Sequence, residues 1–437
     1  MTIQEQYEAK RCSPEEAVAR IKDHTSVFTG SEPVLLFEAL FNQRNKYSDL
    51  HIHTMLAFSN RPVIQNTLLS PQAEGHFTLS SSTINKGMQV AMSKGRRIDH
   101  LVSHFSNIEE MVARQIKPAY VLVHASPMDK EGYFSMGIVP GAGRAAIDAG
   151  AKAIMQVNRT MPVLNTDYNR IHISEAEAFC EGDTEMQQVP DKPPTEMEKK
   201  IAAQIIDRIP DGSVIQLGAG GVPLAVGLFL ENRKDLGLHT EVFTNAMKIL
   251  MEKGVINNSR KTLYPGVSIA GFVQGTEETY SFVSNNRNIL FRKLGWVNDP
   301  NTIAQIDNMV SINGCLAVDL RGQVCSECLG TGTFAGIGGQ FDFVRGARKA
   351  RGGKSFIVMR SVVEKEEGTR ISKISLTLPE GSIVSTPRND VMYIATEYGV
   401  AELINRTAKE KALALISVAH PEFREELSRQ ARGMGLI

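Results

Sequence analysis

Two glycine-rich turns and one carboxylate in an apolar run are where this chain could do chemistry. The first turn, Gly218-Ala219-Gly220-Gly221, follows Ile215-Gln216-Leu217 and opens a helical pattern at Val222. Such a turn aims backbone N–H groups at whatever sits at the helix N-terminus, which suits an anion or oxyanion; a plain tight turn is the other reading. A dinucleotide fingerprint would need a third glycine where Pro223 stands. The second turn, Gly336-Ile337-Gly338-Gly339, comes after Gly330-Thr331-Gly332. Glycine this dense lets a ligand approach the backbone closely, or simply makes a flexible loop. The carboxylate is Glu241, inside Leu238-His239-Thr240-Glu241-Val242-Phe243 and roughly twenty residues after the first turn. Strands disfavour acidic side chains, and on residue type alone an exposed or edge strand accounts for it.

Three further patterns carry less. Gly352-Gly353-Lys354-Ser355 resembles the end of a phosphate loop, but Arg348 stands where that loop needs its first glycine, which argues against a nucleotide triphosphatase. Lys354 retains two readings, a point-charge contact to a phosphate and a solvated lysine. Cys325-Ser326-Glu327-Cys328 has metal or redox spacing without a second pair, so structural cysteines are expected. His51 and His53 share a strand face with no third ligand indicated, and read as packing or hydrogen-bonding residues.

Composition bounds the rest. The chain has 437 residues, with 48 Lys plus Arg against 48 Asp plus Glu. That length exceeds one ordinary core and predicts two domains. Balanced charge gives no global field to recruit nucleic acid or a membrane. The polar start Met1 to Arg20 lacks the apolar centre of a signal peptide, and no apolar run reaches the length of a span. Five cysteines in so long a chain are no disulfide framework, so a reducing cytoplasm is expected.

The elements that would position these residues occur twice. Val27 to Pro33 leading into Val34 to Leu40 matches Ile215 to Pro223 leading into Leu224 to Leu230: strand, glycine turn, proline, apolar helix. Leu50 to Met55 matches Leu238 to Phe243, with a histidine where Glu241 stands, and Tyr120 to His124 is matched to Cys315 to Asp319. Matched points lie roughly 190 to 200 residues apart, which predicts an internal duplication of an α/β unit. The proline-rich segment 186–197 reads as the linker, giving an N-terminal domain over 1–188 and a C-terminal domain over 189–437. After it, Ile201, Ile205 and Ile206 predict an amphipathic helix over 197–209. Strands are predicted at 120–124, 153–157, 355–359 and 391–395, and their alternation with helical patterns predicts α/β domains with largely parallel sheets.

Taken together, these residues resemble the acetyl-CoA hydrolase/transferase family over essentially the whole chain. The resemblance is carried by Gly218 to Pro223, Asp235 to Phe243 and Gly336 to Ala347, with Ser126 to Phe134 and Thr396 to Ala401 in support. The ending Arg345-Gly346-Ala347 looks most like the 4-hydroxybutyrate and butyrate CoA-transferase branch. The resemblance implies two related open α/β domains with the active site at their interface, and Glu241 as a nucleophile that attacks an acyl-CoA thioester. It implies an acyl-glutamyl anhydride, then a glutamyl-CoA thioester, and reversal of both steps onto an acceptor carboxylate. It assigns oxyanion and CoA contacts to Gly218, Ala219, Gly220, Gly221, Val222, Gly338, Gly339 and Lys354, with Glu397 and Asn298 in support. It implies no metal and no cofactor beyond the CoA thioester, which is substrate, and a cytoplasmic homo-oligomer, in the first instance a homodimer, acting on short-chain carboxylates. The cysteine pair departs from the polar residues expected there. Three rivals stand beside transfer: a hydrolase of the same fold, a nicotinamide-dependent dehydrogenase using the Gly218 turn, and a silent acyl-CoA-binding regulator.

Overall fold

The computed structural model describes residues 1–190, 192–218 and 220–437. They form two compact units, Met1–Val189 with Ala270–Trp296, and Pro190–Ile269 with Val297–Ile437.

In the first unit β1 (Ser26–Thr29), β2 (Leu50–Thr54), β3 (Phe77–Ser81), β4 (Ile98–His100), β5 (Tyr120–Ala125), β6 (Lys152–Val157) and β7 (Ala176–Glu181) make one sheet. Its order is β4-β3-β2-β1-β5-β6-β7, and each of these pairings is parallel. A parallel sheet is covered on both faces, which is why β5 is a run of buried residues rather than an alternating one. Helix α1 (Val34–Asn42) begins directly after Pro33 and buries Val34, Leu36, Phe37, Ala39 and Leu40. His53 accepts or donates across to Ser80 Oγ and His51 sits on Asp49, in keeping with hydrogen-bonding roles.

The second unit repeats this plan. β8 (Val214–Leu217), β9 (Gly237–Phe243), β10 (Met309–Gly314), β11 (Lys354–Val358) and β12 (Tyr393–Thr396) run parallel in the order β9-β8-β10-β11-β12. An antiparallel strand, β13 (Gly399–Glu402), follows on the β12 side. The order matches β2-β1-β5-β6-β7, so the repeat inferred from sequence is a repeat of topology. One of its matches needs correction. The strand equivalent to β5 is β10, Met309–Gly314, not Cys315 to Asp319. The latter run carries the short strand Ala317–Asp319 of a separate small sheet, and its apolar residues made it resemble β5.

Segments 182–190 and 192–195 have no regular structure, and Asp191 of the proposed linker lies outside the described residues. Helix α2 (Glu196–Ile206) then starts on a capping box: Thr195 Oγ1 accepts from Glu198 N–H while the Glu198 carboxylate accepts from Thr195 N–H. Helix α3 (Gly221–Phe229) follows β8, and helix α4 (Gln340–Lys349) follows the second glycine turn. Among the described residues no helix is long and apolar enough to cross a membrane.

Candidate active site

In an open parallel sheet the carboxyl ends of the strands leave a crevice where successive connections part to opposite sides. In the second unit the chain goes from β8 to β9 on one side and later returns to β10 on the other. The crevice here is an open cleft of about 370 Å³. Gln216 of β8 and Gly218 just after it, Glu241 and Val242 from β9, and Asn313 and Gly314 from β10 line it, and Gly336 to Gln340 close it from the second glycine turn.

Glu241 is half-buried where every other position of β9 is fully buried, and it opens onto this cleft. Asn298 Nδ2 donates to Glu241 Oε2 at 2.7 Å. The Gly339 backbone also lies against this carboxylate. Burial nevertheless dominates and pushes the Glu241 carboxyl up to about 7; the Asn298 bond opposes that rise, the Asp342 charge adds to it, and the nearby Gly339 amide opposes it. A carboxylate with so high a proton affinity is a far better nucleophile than one in water, yet it is still substantially ionised at neutral pH.

Asn298 is itself held. His239, two residues before Glu241 and so on the same face of β9, donates its Nε2 proton to Val297 O at 2.8 Å. Because a carbonyl only accepts, Nε2 carries the proton, and burial keeps this imidazole neutral by pulling it down to about 3. The strand that bears Glu241 therefore also anchors the peptide just before the asparagine that grips it. On the cleft's other wall Gln216 and Asn313 exchange two amide hydrogen bonds, each 3.0 Å, while Asn313 also donates to Ser311 Oγ at 2.9 Å.

The second glycine turn stands at the head of α4. Gly338 has φ +55°, a left-handed conformation that glycine adopts without cost. Gly339 has ordinary backbone angles, φ −103° and ψ 6°, so its need for glycine is one of space. A Cβ there would overlap both Asn298 Nδ2 and Glu241 Oε2. Gln340 Nε2 ties the start of α4 to Gly314 O at 3.1 Å. The positive end of the α4 dipole thus faces the cleft, an arrangement suited to developing negative charge.

Of the residues singled out in the sequence, Glu241, Asn298, Gly218, Gly338 and Gly339 come together here. Others do not. Gly218 lines the cleft, but its N–H is taken by Ile312 O at 2.8 Å and cannot serve an oxyanion. Ala219 lies outside the described residues. Gly220, with φ +135°, caps α3; Gly221 packs against the Glu198 carboxylate, and Val222 is buried. Lys354 is placed elsewhere: it pairs with Val310, whereas Val358 pairs with Gly314 at the cleft. Four residues of strand separate these levels, about 13 Å, and the Lys354 ammonium donates to Arg208 O at 2.7 Å instead. Glu397 follows β12, four strands from β9, and accepts from Ser361 N–H at 2.9 Å rather than from a group on Glu241. Sequence reasoning passed over His239, Gln216 and Asn313. The only signal for the two amides was polar residues inside largely apolar strands, Gln216 in one and Ser311 with Asn313 in the other. Among the described residues no three His, Cys, Asp or Glu side chains gather as metal ligands would.

The N-terminal domain of acetyl-CoA hydrolase/transferase matches residues 1–225, and the C-terminal domain of that family matches residues 275–431. The chain is 36% identical to a 4-hydroxybutyrate coenzyme A transferase of Clostridium kluyveri, over 98% of this chain and 99% of that one. It is 36% identical to a succinyl-CoA:cyclohexane-1-carboxylate CoA transferase of Geobacter metallireducens, over 100% and 98%. Among solved structures, RipA from Yersinia pestis superposes with a TM-score of 0.93 at 33% identity, each chain fully covered. The 4-hydroxybutyrate CoA-transferase of Porphyromonas gingivalis does so with a TM-score of 0.83 at 33% identity, over 99% of this chain and 100% of that one. On sequence and fold alike, this chain belongs to the acetyl-CoA hydrolase/transferase family.

Proposed function

We propose that this protein transfers CoA between short-chain carboxylates by a ping-pong reaction through a glutamyl-CoA thioester at Glu241. The observation that carries the reading is the grip of Asn298 on the Glu241 carboxylate at 2.7 Å, at the head of α4 and inside an open cleft. Glu241 attacks the acyl-CoA carbonyl, the tetrahedral oxyanion collapses, and CoA leaves as thiolate from an acyl-glutamyl anhydride. The thiolate attacks the glutamyl carbonyl and the first acid departs. A second carboxylate then attacks the glutamyl thioester, and the two steps run in reverse. One carboxyl is exchanged for another at the same level of activation, so no ATP and no cofactor beyond the thioester are required. The Asn298 amide orients the attacking oxygen, and the role of oxyanion donor falls to the amides of Gly338 and Gly339, which line the cleft.

The substrates named for relatives support the 4-hydroxybutyrate, butyrate and acetate class, with succinyl-CoA as a further donor. They include butyryl-CoA:acetate CoA-transferase of Anaerostipes caccae, 31% identical over 99% of this chain. The test is acyl-CoA loss with and without an acceptor acid, across a panel of donors and acids read by mass spectrometry. Transfer predicts turnover only when an acceptor is present. Equal loss of acyl-CoA without acceptor would make the protein a hydrolase.

A further inference from the structure

Two thiols that CoA transfer leaves unused stand in contact beside this cleft. Cys325 and Cys328 are both buried, and their Sγ atoms are 3.6 Å apart. Cys325 Sγ donates to Cys328 O at 2.9 Å, and Ile383 N–H donates to Cys328 Sγ at 3.1 Å. Short strands Val324–Cys325 and Cys328–Leu329 are joined by the two-residue turn Ser326-Glu327, which bends at Glu327. That turn is tied to the site twice. Ser326 lines the cleft itself. Glu327 O accepts from Phe334 N–H at 2.7 Å and Ala335 N–H at 3.1 Å, which fixes the segment running into Gly336 to Gly339.

We propose that Cys325 and Cys328 are a redox pair whose reversible disulfide slows the enzyme by pulling on the turn that shapes the cleft. A disulfide requires the sulfurs to close to about 2.0 Å, so from their present contact each moves by less than about 1 Å. The two-residue spacer is the spacing of dithiol–disulfide pairs. Burial selects a small oxidant, and hydrogen peroxide, scarcely larger than water, is the class that fits. Burial pushes the Cys328 thiol above its ordinary value and the Ile383 amide on its sulfur opposes that rise; Cys328 is the more approachable attacker because the flanking Leu329 and Ile383 are exposed. Its thiolate attacks one peroxide oxygen, the O–O bond breaks, and the departing hydroxide leaves as water with the proton the thiol has lost. Cys328 is then a sulfenic acid. The Cys325 sulfur attacks the Cys328 sulfur; the S–S bond forms, the S–O bond breaks, and a second water leaves with the Cys325 proton. Two thiols and one peroxide give one disulfide and two waters, with two electrons passing from sulfur to oxygen. A dithiol reductant reverses it by exchange.

The loss of turnover rests on the function proposed above; the disulfide does not, and the test keeps them apart. Reduced full-length protein is treated with hydrogen peroxide, alkylated and digested with trypsin. One peptide, Gly322 to Arg345, carries both cysteines. It should emerge unalkylated and lighter by two hydrogens, and amide exchange at Phe334 and Ala335 should change with it. Transfer should fall at least severalfold and return with dithiothreitol. Cys328→Ala should keep its basal turnover and lose the peroxide response, with thermal unfolding confirming that it is folded. Should that variant fail to fold, the wild-type peptide and exchange data decide. A peptide that stays dithiol, a disulfide that leaves exchange and turnover unchanged, or inactivation that tracks Cys315 instead would overturn the proposal.

Discussion

Replacing Gly339 with alanine should separate catalysis from folding. The backbone there, φ −103° and ψ 6°, is open to alanine, so no conformational strain is introduced. The added methyl would sit closer than 3.0 Å, a separation real Cβ atoms essentially never show, to Asn298 Nδ2 and Glu241 Oε2. Both atoms are ends of side chains, so they yield and the main chain need not. Each must retreat by about 1 Å, and a misplacement of that size at a reacting group costs about 10²-fold in rate. That is about 2.7 kcal/mol of transition-state stabilisation. It should appear in kcat more than in KM, because the CoA-binding surface is otherwise unchanged. Steady-state transfer with butyryl-CoA and acetate measures it, and calorimetry of the same sample should give a melting temperature within a few degrees of the wild type. Gly339→Val, with a second branch reaching into the cleft, should lose CoA approach as well and fall further. A folded Gly339→Ala enzyme with unchanged turnover would refute the reasoning and detach the second glycine turn from the reaction.

Two further outcomes follow from the electrostatics of Glu241. Asn298→Ala removes a hydrogen bond that favours the carboxylate, so the acid limb of the pH–rate profile, which should lie near pH 7 in the wild type, should move to higher pH. Glu241→Gln should abolish transfer yet stabilise the fold at high pH. The native carboxyl keeps its proton between the usual value of 4.5 and about 7, where the unfolded chain has lost it, so wild-type stability declines as pH rises through that window. Glutamine carries no such dependence, and melting curves at pH 5 and pH 8 should show the variant gaining on the wild type at the higher pH.

The sequence announced what local pattern can carry. Apolar runs bounded by glycine and proline marked β8, β9 and α3, and isoleucines at helical spacing marked α2. Relations across the chain were harder to see. The Gln216–Asn313 amide pair joins residues 97 positions apart, and nothing in either strand's own composition points to the other. Asn298 reaches Glu241 across 57 positions, and it was named through family resemblance, not through spacing. Lys354 shows the opposite failure. Its glycine-rich approach suggested a phosphate contact, but it opens β11, and in a parallel sheet the amino end of a strand lies on the edge away from the cleft. Cys315 to Asp319 resembles β5 in residue type because an apolar run alone does not tell one sheet from another.

The central claim is that Glu241 becomes covalently bound to CoA. The direct measurement is to supply butyryl-CoA without an acceptor acid, reduce with borohydride, and map the protein by mass spectrometry. A glutamyl thioester predicts loss of activity that depends on butyryl-CoA, with Glu241 converted to the corresponding alcohol and no other side chain changed. Inactivation without acyl-CoA, or reduction at any residue other than Glu241, would contradict it.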